Sequence, residues 1–422
     1  MHSPLVGGSR QSLAVTSDGQ LFTWGWNQKW SLGLGHQEGT MTAKRVEALE
    51  GVEVTQARGP PSCSRLRVRL TPLPAQACWG GWHGLAVSTT GEAYAWGGNE
   101  NMQVGATDAP SDAVPLPMRV LPSLRVLQVA AGAMHSLALV DGGDVWAWGQ
   151  PLTTWVPPPG GDSSNLYGKQ RAPVRVGGAT NVVRIAAGAF HNLALTATGH
   201  VLAWGNADYG QLGLGSTNHA AEPSVVTELS RAGVTALAAG GWHSAALTAG
   251  GVVYVWGRGE HGRLGLGESW RDRLAPTELP LAARAAAVSL GGTHSCVITE
   301  DGTLLSCGRQ SFGRLGRSNA GNPNVPMPVE LPPPPPGPGG VPRRWLVEAV
   351  TAGGRHTLAL ARPTPDLPGG STDAAAVRAS SPAPRAPSRR MLGVDATRTS
   401  LSFNADDAAL RSPVAKPTRL VE

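Results

Sequence analysis

The 422 residues include 56 Gly and 35 Pro, with 41% apolar and only 15% charged side chains. That is enough apolar material for a packed core, in a turn-rich chain that favours short strands over long helices. The net charge of +6 is evenly divided, residues 362–422 holding nine Lys/Arg against six Asp/Glu, so charge gives no support for a nucleic-acid or chromatin partner.

The chain opens at Met1 to Arg10 without an apolar signal-type segment, and no run of roughly 18 apolar residues follows anywhere. These features predict a soluble intracellular protein, cytoplasmic or nuclear, with no membrane partner. Cys63, Cys78, Cys296 and Cys307 fit no zinc spacing and are too sparse for a disulfide-built secreted scaffold. No cofactor is expected.

The first unit begins at Ser9-Arg10-Gln11-Ser12-Leu13-Ala14-Val15. The same phrase, with His in the place of Gln11, returns at His83, His135, His191, His243, His294 and His356. The spacings are 72, 52, 56, 52, 51 and 62, a period near 52 with insertions in three intervals. Each of the first six anchors leads to a second phrase: Trp-Gly at Trp24, Trp96, Trp148, Trp204 and Trp256, and Cys-Gly at Cys307. Between the two phrases lies a turn whose second residue is always Gly: Gly19, Gly91, Gly143, Gly199, Gly251 and Gly302. A tight hairpin needs positive φ there, which Gly adopts without strain. A two-residue turn would place Leu13 opposite Trp24, with the same pairing in every unit, and Cys296 opposite Cys307. A longer loop with a bulge would shift the facing pair and keep the constant length. The reused Trp is expected to pack between sheets.

Two more strands complete each unit. One carries Pro and Val, as in Ala172-Pro173-Val174-Arg175-Val176, and the other reads Val-x-x-Val-Ala-Ala-Gly, as in Val126 to Gly132. Four short strands per unit, repeated, predict an all-β fold: a β-propeller of four-stranded blades with six complete repeats and a partial seventh. One sheet cannot bury both faces alone, so neighbouring blades form the core. The propeller is assigned to residues 1–361.

Departures follow in chain order. The first interval is 20 residues too long, and removing 58–77 restores the Val-x-x-Val phrase. That segment reads as a disordered insert or a product of gene modelling. The third unit replaces Gly-x-Leu-Gly with Pro157-Pro158-Pro159-Gly160-Gly161. Residues 332–342, mostly Pro and Gly, form a loop. Gly353 to Leu360 is an orphan strand, which leaves six blades or an incomplete seventh. Residues 362–422, rich in Ala, Ser, Pro and Arg, predict a disordered tail. There, Ser381-Pro382 and Ser412-Pro413 are phosphorylation candidates, and Arg385 to Arg390 is a weak nuclear signal.

Trp204-Gly205-Asn206 with Gly210-Gln211-Leu212-Gly213-Leu214-Gly215, and Gly262-Arg263-Leu264-Gly265-Leu266-Gly267, resemble the regulator of chromosome condensation repeat family, whose relatives include the plant UV-B photoreceptor. The resemblance covers about residues 7–361 and implies a seven-bladed propeller. It also implies protein binding, and guanine nucleotide exchange on a small GTPase as in the founding member. The residues for exchange are not placed in this sequence. The light-sensing phrase of the photoreceptor has Trp two places before the His. Here those places hold Ser9, Gly81, Ala133, Ala189, Gly241, Gly292 and Gly354, none aromatic, which argues against ultraviolet sensing.

The place directly before each anchor holds Arg10, Trp82, Met134, Phe190, Trp242, Thr293 and Arg355. In the photoreceptor this ring lies on the self-association face. Trp82, Met134, Phe190, Trp242 and Arg355 are therefore the candidate partner-binding residues, either exposed as a docking patch or covered by tail or loop segments. The six His residues and Trp24, Trp96, Trp148, Trp204 and Trp256 are assigned structural roles. The His residues stand on separate blades, too far apart to share a metal, and are expected to bond backbone groups and fix the start of the strand. Gly257-x-Gly259-x-x-Gly262 matches a dinucleotide fingerprint, but Leu264-Gly265-Leu266-Gly267 is poor helix sequence, so a structural turn is expected. No catalytic group stands out. Other proteins are the expected partners, a small GTPase and a second copy of the chain among them.

Overall fold

Runs of five or six strand-forming residues, each returned by a Gly turn, assemble into seven antiparallel sheets. The computed structural model describes residues 5–54, 77–106, 108–110, 112–150, 170–267, 270–318, 321–337, 343–365 and 390–394. Six sheets have four strands and the seventh has three, always in chain order within the sheet. The blades span 5–45, 77–120, 126–175, 182–225, 234–278, 285–328 and 343–394. The first strand of each blade lies against the first strand of the next, and that of blade seven meets that of blade one, so the ring closes. Among the described residues the only helical elements are single 3-10 turns, and no helix is long and apolar enough to cross a membrane.

The hairpin register is shifted by one from the two-residue-turn expectation. Ser12 faces Trp24 and Leu13 faces Thr23. The Thr16 amide donates to Gln20 O at 2.9 Å and the Gly19 amide to Thr16 O at 3.0 Å. This is a three-residue loop with a bulge, and Gly19 takes the left-handed position at φ 83°. The other five hairpins repeat it. The consequence is directional. Leu13 and Val15 point toward blade two and pack with its Trp96, while Trp24 points back and packs against Leu358 and Leu360 of blade seven. Blades one to five thus send aliphatic side chains forward and an indole backward, and the core lies between blades, as expected. Trp148 meets Leu85 of blade two, and Trp256 meets Leu193 and Val201 of blade four.

The same shift separates Cys296 from Cys307. Cys296 faces Ser306 and Cys307 faces Ser295, so the two thiols point to opposite sides of blade six. Cys296 packs with Val347 and Ala359 of blade seven. Cys307 occupies the indole place against blade five. Both are free and buried, and burial raises the Cys296 thiol to about 12 and the Cys307 thiol further.

The orphan phrase belongs to a hairpin, Arg343–Ala352 with Thr357–Pro365. Arg390–Val394 pairs along its outer edge, Thr357 opposite Val394 through Ala361 opposite Arg390. The seventh blade therefore extends past residue 361 and takes its third strand from the C-terminal stretch. In blade two, Val54 bridges Ser88 and Ala77 faces Ala86. Blade four has Val182 opposite Thr196 and Ile185 opposite Ala194. Val54 and Ala77 thus fill places three apart, and the excess of 20 residues lies between them. The predicted insert lies outside the described residues except for Ala77, which begins the strand Ala77–Trp79. The Pro-rich replacement in blade three, both Ser-Pro pairs and most of the tail also lie outside them.

Candidate partner-binding face

The anchor His residues hold the ring from inside. His83 Nε2 lies 2.9 Å from Ser136 Oγ of the next blade. Ser136 Oγ donates to Gln103 O at 2.7 Å, so it accepts from the His83 Nε2–H. Trp148 Nε1 donates to the same carbonyl at 2.8 Å. The relay recurs from His191 to Ser244, Gln211 O and Trp256. It recurs again from His243 to Ser295 and Arg263 O, and from His294 to Thr357 and Arg314 O. His356 closes the circle on Ser12 Oγ at 3.0 Å. The bonded groups are side chains of the neighbouring blade, not the backbone groups expected. A buried imidazole needs a polar partner, and the neighbouring blade supplies it at Nε2, while Nδ1 of His83, His135, His191, His243 and His294 is buried without one.

Two seams depart from the pattern together with their partners. Where Gly84 leaves no hydroxyl, the anchor is Gln11, whose Nε2 donates to Ser31 Oγ at 3.1 Å. Where blade three lacks Gly-x-Leu-Gly, Asn192 replaces Ser. With its amide turned, Asn192 Oδ1 accepts from Trp204 Nε1 at 3.0 Å and Nδ2 donates to His135 Nε2 at 2.8 Å. The Asn gives Trp204 the acceptor that a loop carbonyl gives Trp96, Trp148 and Trp256. Sequence reading overlooked this column, although a hydroxyl or amide after every anchor His but His83 was its signal.

Burial keeps these imidazoles neutral. It lowers His83, His191 and His294 to about 3 and His135 and His356 to about 4. The Gly three places before each His is required by contact. A Cβ at Gly132 would overlap the His135 ring, and one at Gly240 would also sit 2.6 Å from Gly291 O of the next blade. Inter-blade backbone bonds such as Ala133 N to Ala189 O at 3.0 Å and Gly354 N to Gly8 O at 2.8 Å tie the inner ring.

The residues before the anchors form a half-buried ring on one face. Trp82 lies 4.9 Å from Trp26, over which Arg10 stacks at 5.1 Å. Phe190 lies 4.9 Å from Trp242, with Tyr209 edge-on to Trp242 at 5.3 Å. Met134 stands between the Trp82 and Phe190 blades. Arg355 stacks at 5.1 Å on Phe312, which is 52% exposed. The face is therefore divided, apolar over blades one to five and basic over blades five to seven.

The ring surrounds a cavity of about 470 Å³ along the axis, walled by Gly and Ala main chain. The places that hold Trp in the photoreceptor phrase lie on this wall. A Cβ at Gly241 would lie 2.6 Å from Gly292 O, and one at Gly81 2.7 Å from Ala133 O. At these glycines a methyl group meets the next blade's carbonyl, while Ser9, Ala133 and Ala189 place small side chains at the equivalent positions. The dinucleotide-like glycines form a turn: Glu260–Gly262 is a single 3-10 turn with His261 at φ 64°, followed by no helix. Among the described residues no group of His, Cys, Asp and Glu could hold a metal.

The family model of the RCC1-like domain matches residues 2–359. The chain belongs to the RCC1-like domain family. Among the relatives of this RCC1-like chain is the ultraviolet-B receptor UVR8 of Arabidopsis thaliana, 28% identical over 76% of this chain and 68% of that protein. Another is the E3 ubiquitin-protein ligase HERC2 of Homo sapiens, 32% identical over 74% of this chain but only 6% of the ligase. The fold is that of Prp20p from Saccharomyces cerevisiae, with TM-score 0.68, 21% identity, and 86% and 82% of the two chains covered. Human WBSCR16 gives TM-score 0.66 at 22% identity, with 85% and 86% covered.

Proposed function

We propose that this chain is a protein-interaction scaffold whose partner docks on the face bearing Trp82, Met134, Phe190, Trp242 and Arg355. The carrying observation is a half-exposed aromatic ring on a frame held rigid by buried bonds between blades. A rigid, amphipathic aromatic patch binds with little ordering cost. No group with a catalytic role is assigned, and we place the protein inside the cell, in cytoplasm or nucleus. Affinity purification with mass spectrometry, comparing the natural chain with Trp82→Ser/Trp242→Ser, tests this. The variant is expected to lose its principal partners. Unchanged partners would sink the docking role of this face.

Guanine nucleotide exchange is the second reading. It draws on the likeness to Prp20p, a protein studied for its binding to Gsp1p and histones. Nucleotide release from purified small GTPases separates it from a scaffold alone. An ultraviolet receptor of the UVR8 kind is disfavoured because the sensing places hold only Ser, Ala and Gly.

A further inference from the structure

Five arginines line the cavity mouth over blades five to seven: Arg258, Arg263, Arg309, Arg314 and Arg355. One carboxylate among the lining residues, Glu260, is shared by Arg258 at 2.6 Å and Arg263 at 3.3 Å. Asp272 stands behind them, exposed and accepting from the Gly259 amide at 2.8 Å.

Two of the five are unusual. Arg263 is 1% exposed and Arg314 3%. Each reaches the inner rim of the next blade, Arg263 Nη1 to Gly292 O at 3.4 Å and Arg314 Nη1 to Gly354 O at 3.2 Å. Both stand in the variable place of Gly-x-Leu-Gly, where blade four has Gln211 and blade two Gln103. The fold therefore does not require a cation there. A buried guanidinium is costly unless an anion compensates it; Arg263 shares Glu260 with Arg258, and Arg314 donates to neutral acceptors, Thr293 Oγ1 and the Ser311 and Gly354 carbonyls. The cost is visible: burial and then neighbouring Arg258 lower Arg263 to about 10, and burial and then Arg309, Arg355 and Arg263 lower Arg314 to about 10.

We infer that this arginine-lined end of the axial cavity is a binding site for a small phosphate-bearing anion. The cavity volume suits a small molecule, and fork-shaped guanidinium groups match phosphate oxygens in pairs. The Gly and Ala wall brings main chain close without side chains intervening. Phe312, between Arg314 at 5.6 Å and Arg355 at 5.1 Å, covers the outer lip. This site shares Arg355 and the Trp242 rim with the proposed docking face, but it rests on the cavity and its charge, and pyrophosphate binding reads it without any protein partner.

Calorimetric titration of the full chain tests it, with inorganic pyrophosphate as the probe. Arginine-free controls come from the protein's own repeats. Arg263→Gln/Arg314→Gln installs the residue already found in blades two and four, so folding is expected to persist. Arg309→Ala/Arg355→Ala serves as an outer pair. Pyrophosphate is expected to bind at one site, weakened at least tenfold by either pair, and to raise the melting temperature of the natural chain only. No binding, or equal binding by both variants, overturns the assignment. So does binding of an aspartate-rich peptide in place of pyrophosphate, which would make the site a peptide subsite.

Discussion

The Ser244–Gln211–Trp256 junction allows a quantitative test of how the blades are held together. Gln211 O accepts from Ser244 Oγ at 2.7 Å and from Trp256 Nε1 at 2.9 Å, and all three residues are fully buried. Ser244→Ala leaves the carbonyl one donor but orphans His191 Nε2. It should cost about 2–3 kcal/mol, combining a lost hydrogen bond with an unsatisfied buried donor. Trp256→Phe keeps most of the ring volume and removes the second donor, leaving the carbonyl to Ser244. The double variant leaves the carbonyl with neither. Its destabilisation should exceed the sum of the single changes by about 1–2 kcal/mol, the desolvation cost of a buried acceptor. The His191 penalty is common to Ser244→Ala and the double variant, so it cancels in the cycle. Urea unfolding followed by tryptophan fluorescence and far-ultraviolet circular dichroism supplies the four stabilities. Additivity within about 0.5 kcal/mol would refute the shared acceptor as the joint between blades.

Three further outcomes follow from the same geometry. The anchor His residues are neutral when folded, with values lowered to about 3 or 4, below the unfolded value of about 6.5. Their contribution is complete above that value and is lost as pH falls from it toward the folded values, by about 1.4 kcal/mol per pH unit for each His. His191→Gln, which copies the Gln11 anchor, should flatten the acid limb of a urea-midpoint series by that one-residue slope. Gly213→Ala should cost about 3 kcal/mol, left-handed strain plus overpacking, because the Cβ would sit 2.8 Å from Trp256 Nε1 at φ +73°. Gly215→Ala, at φ +76° with open space around it, should cost only the left-handed strain of about 1 kcal/mol; equal melting shifts for the two would remove the indole from the explanation. Deleting residues 57–76 joins Gln56 to Ala77 and restores the three-residue spacing between Val54 and Ala77. A melting temperature within a few degrees of the natural chain is expected, and loss of cooperative unfolding would contradict the equivalence with blade four.

The repeats were legible in the sequence because a propeller repeats one local problem. Every hairpin of the first six blades needs a Gly at the same left-handed place, every imidazole needs a Gly three residues earlier, and five seams reuse an indole. Residues meeting identical demands recur at a common period, and the composition alone shows the Trp bias. Departures were legible too: the 20-residue excess is plain from spacing, because the interval from Gln11 to His83 exceeds the period of about 52 by that number.

Register, direction and closure were decided only by tertiary structure. A one-residue difference in the turn reverses which face each side chain takes, and Gly19 is compatible with either loop length. That is why Leu13 and Trp24, or Cys296 and Cys307, looked like partners and are not. The Ser, Asn and Thr that bond the His rings lie about 50–60 residues away in sequence, and only the stacking of neighbouring blades brings them within bonding distance. Arg263 and Arg314 likewise occupy a loop place that elsewhere holds Gln. Their meaning as buried charge arises when ring closure encloses them around one axis. Sequence fixes what each blade needs locally, while the closed ring determines which groups share a seam, because those contacts exist only after all seven sheets have met.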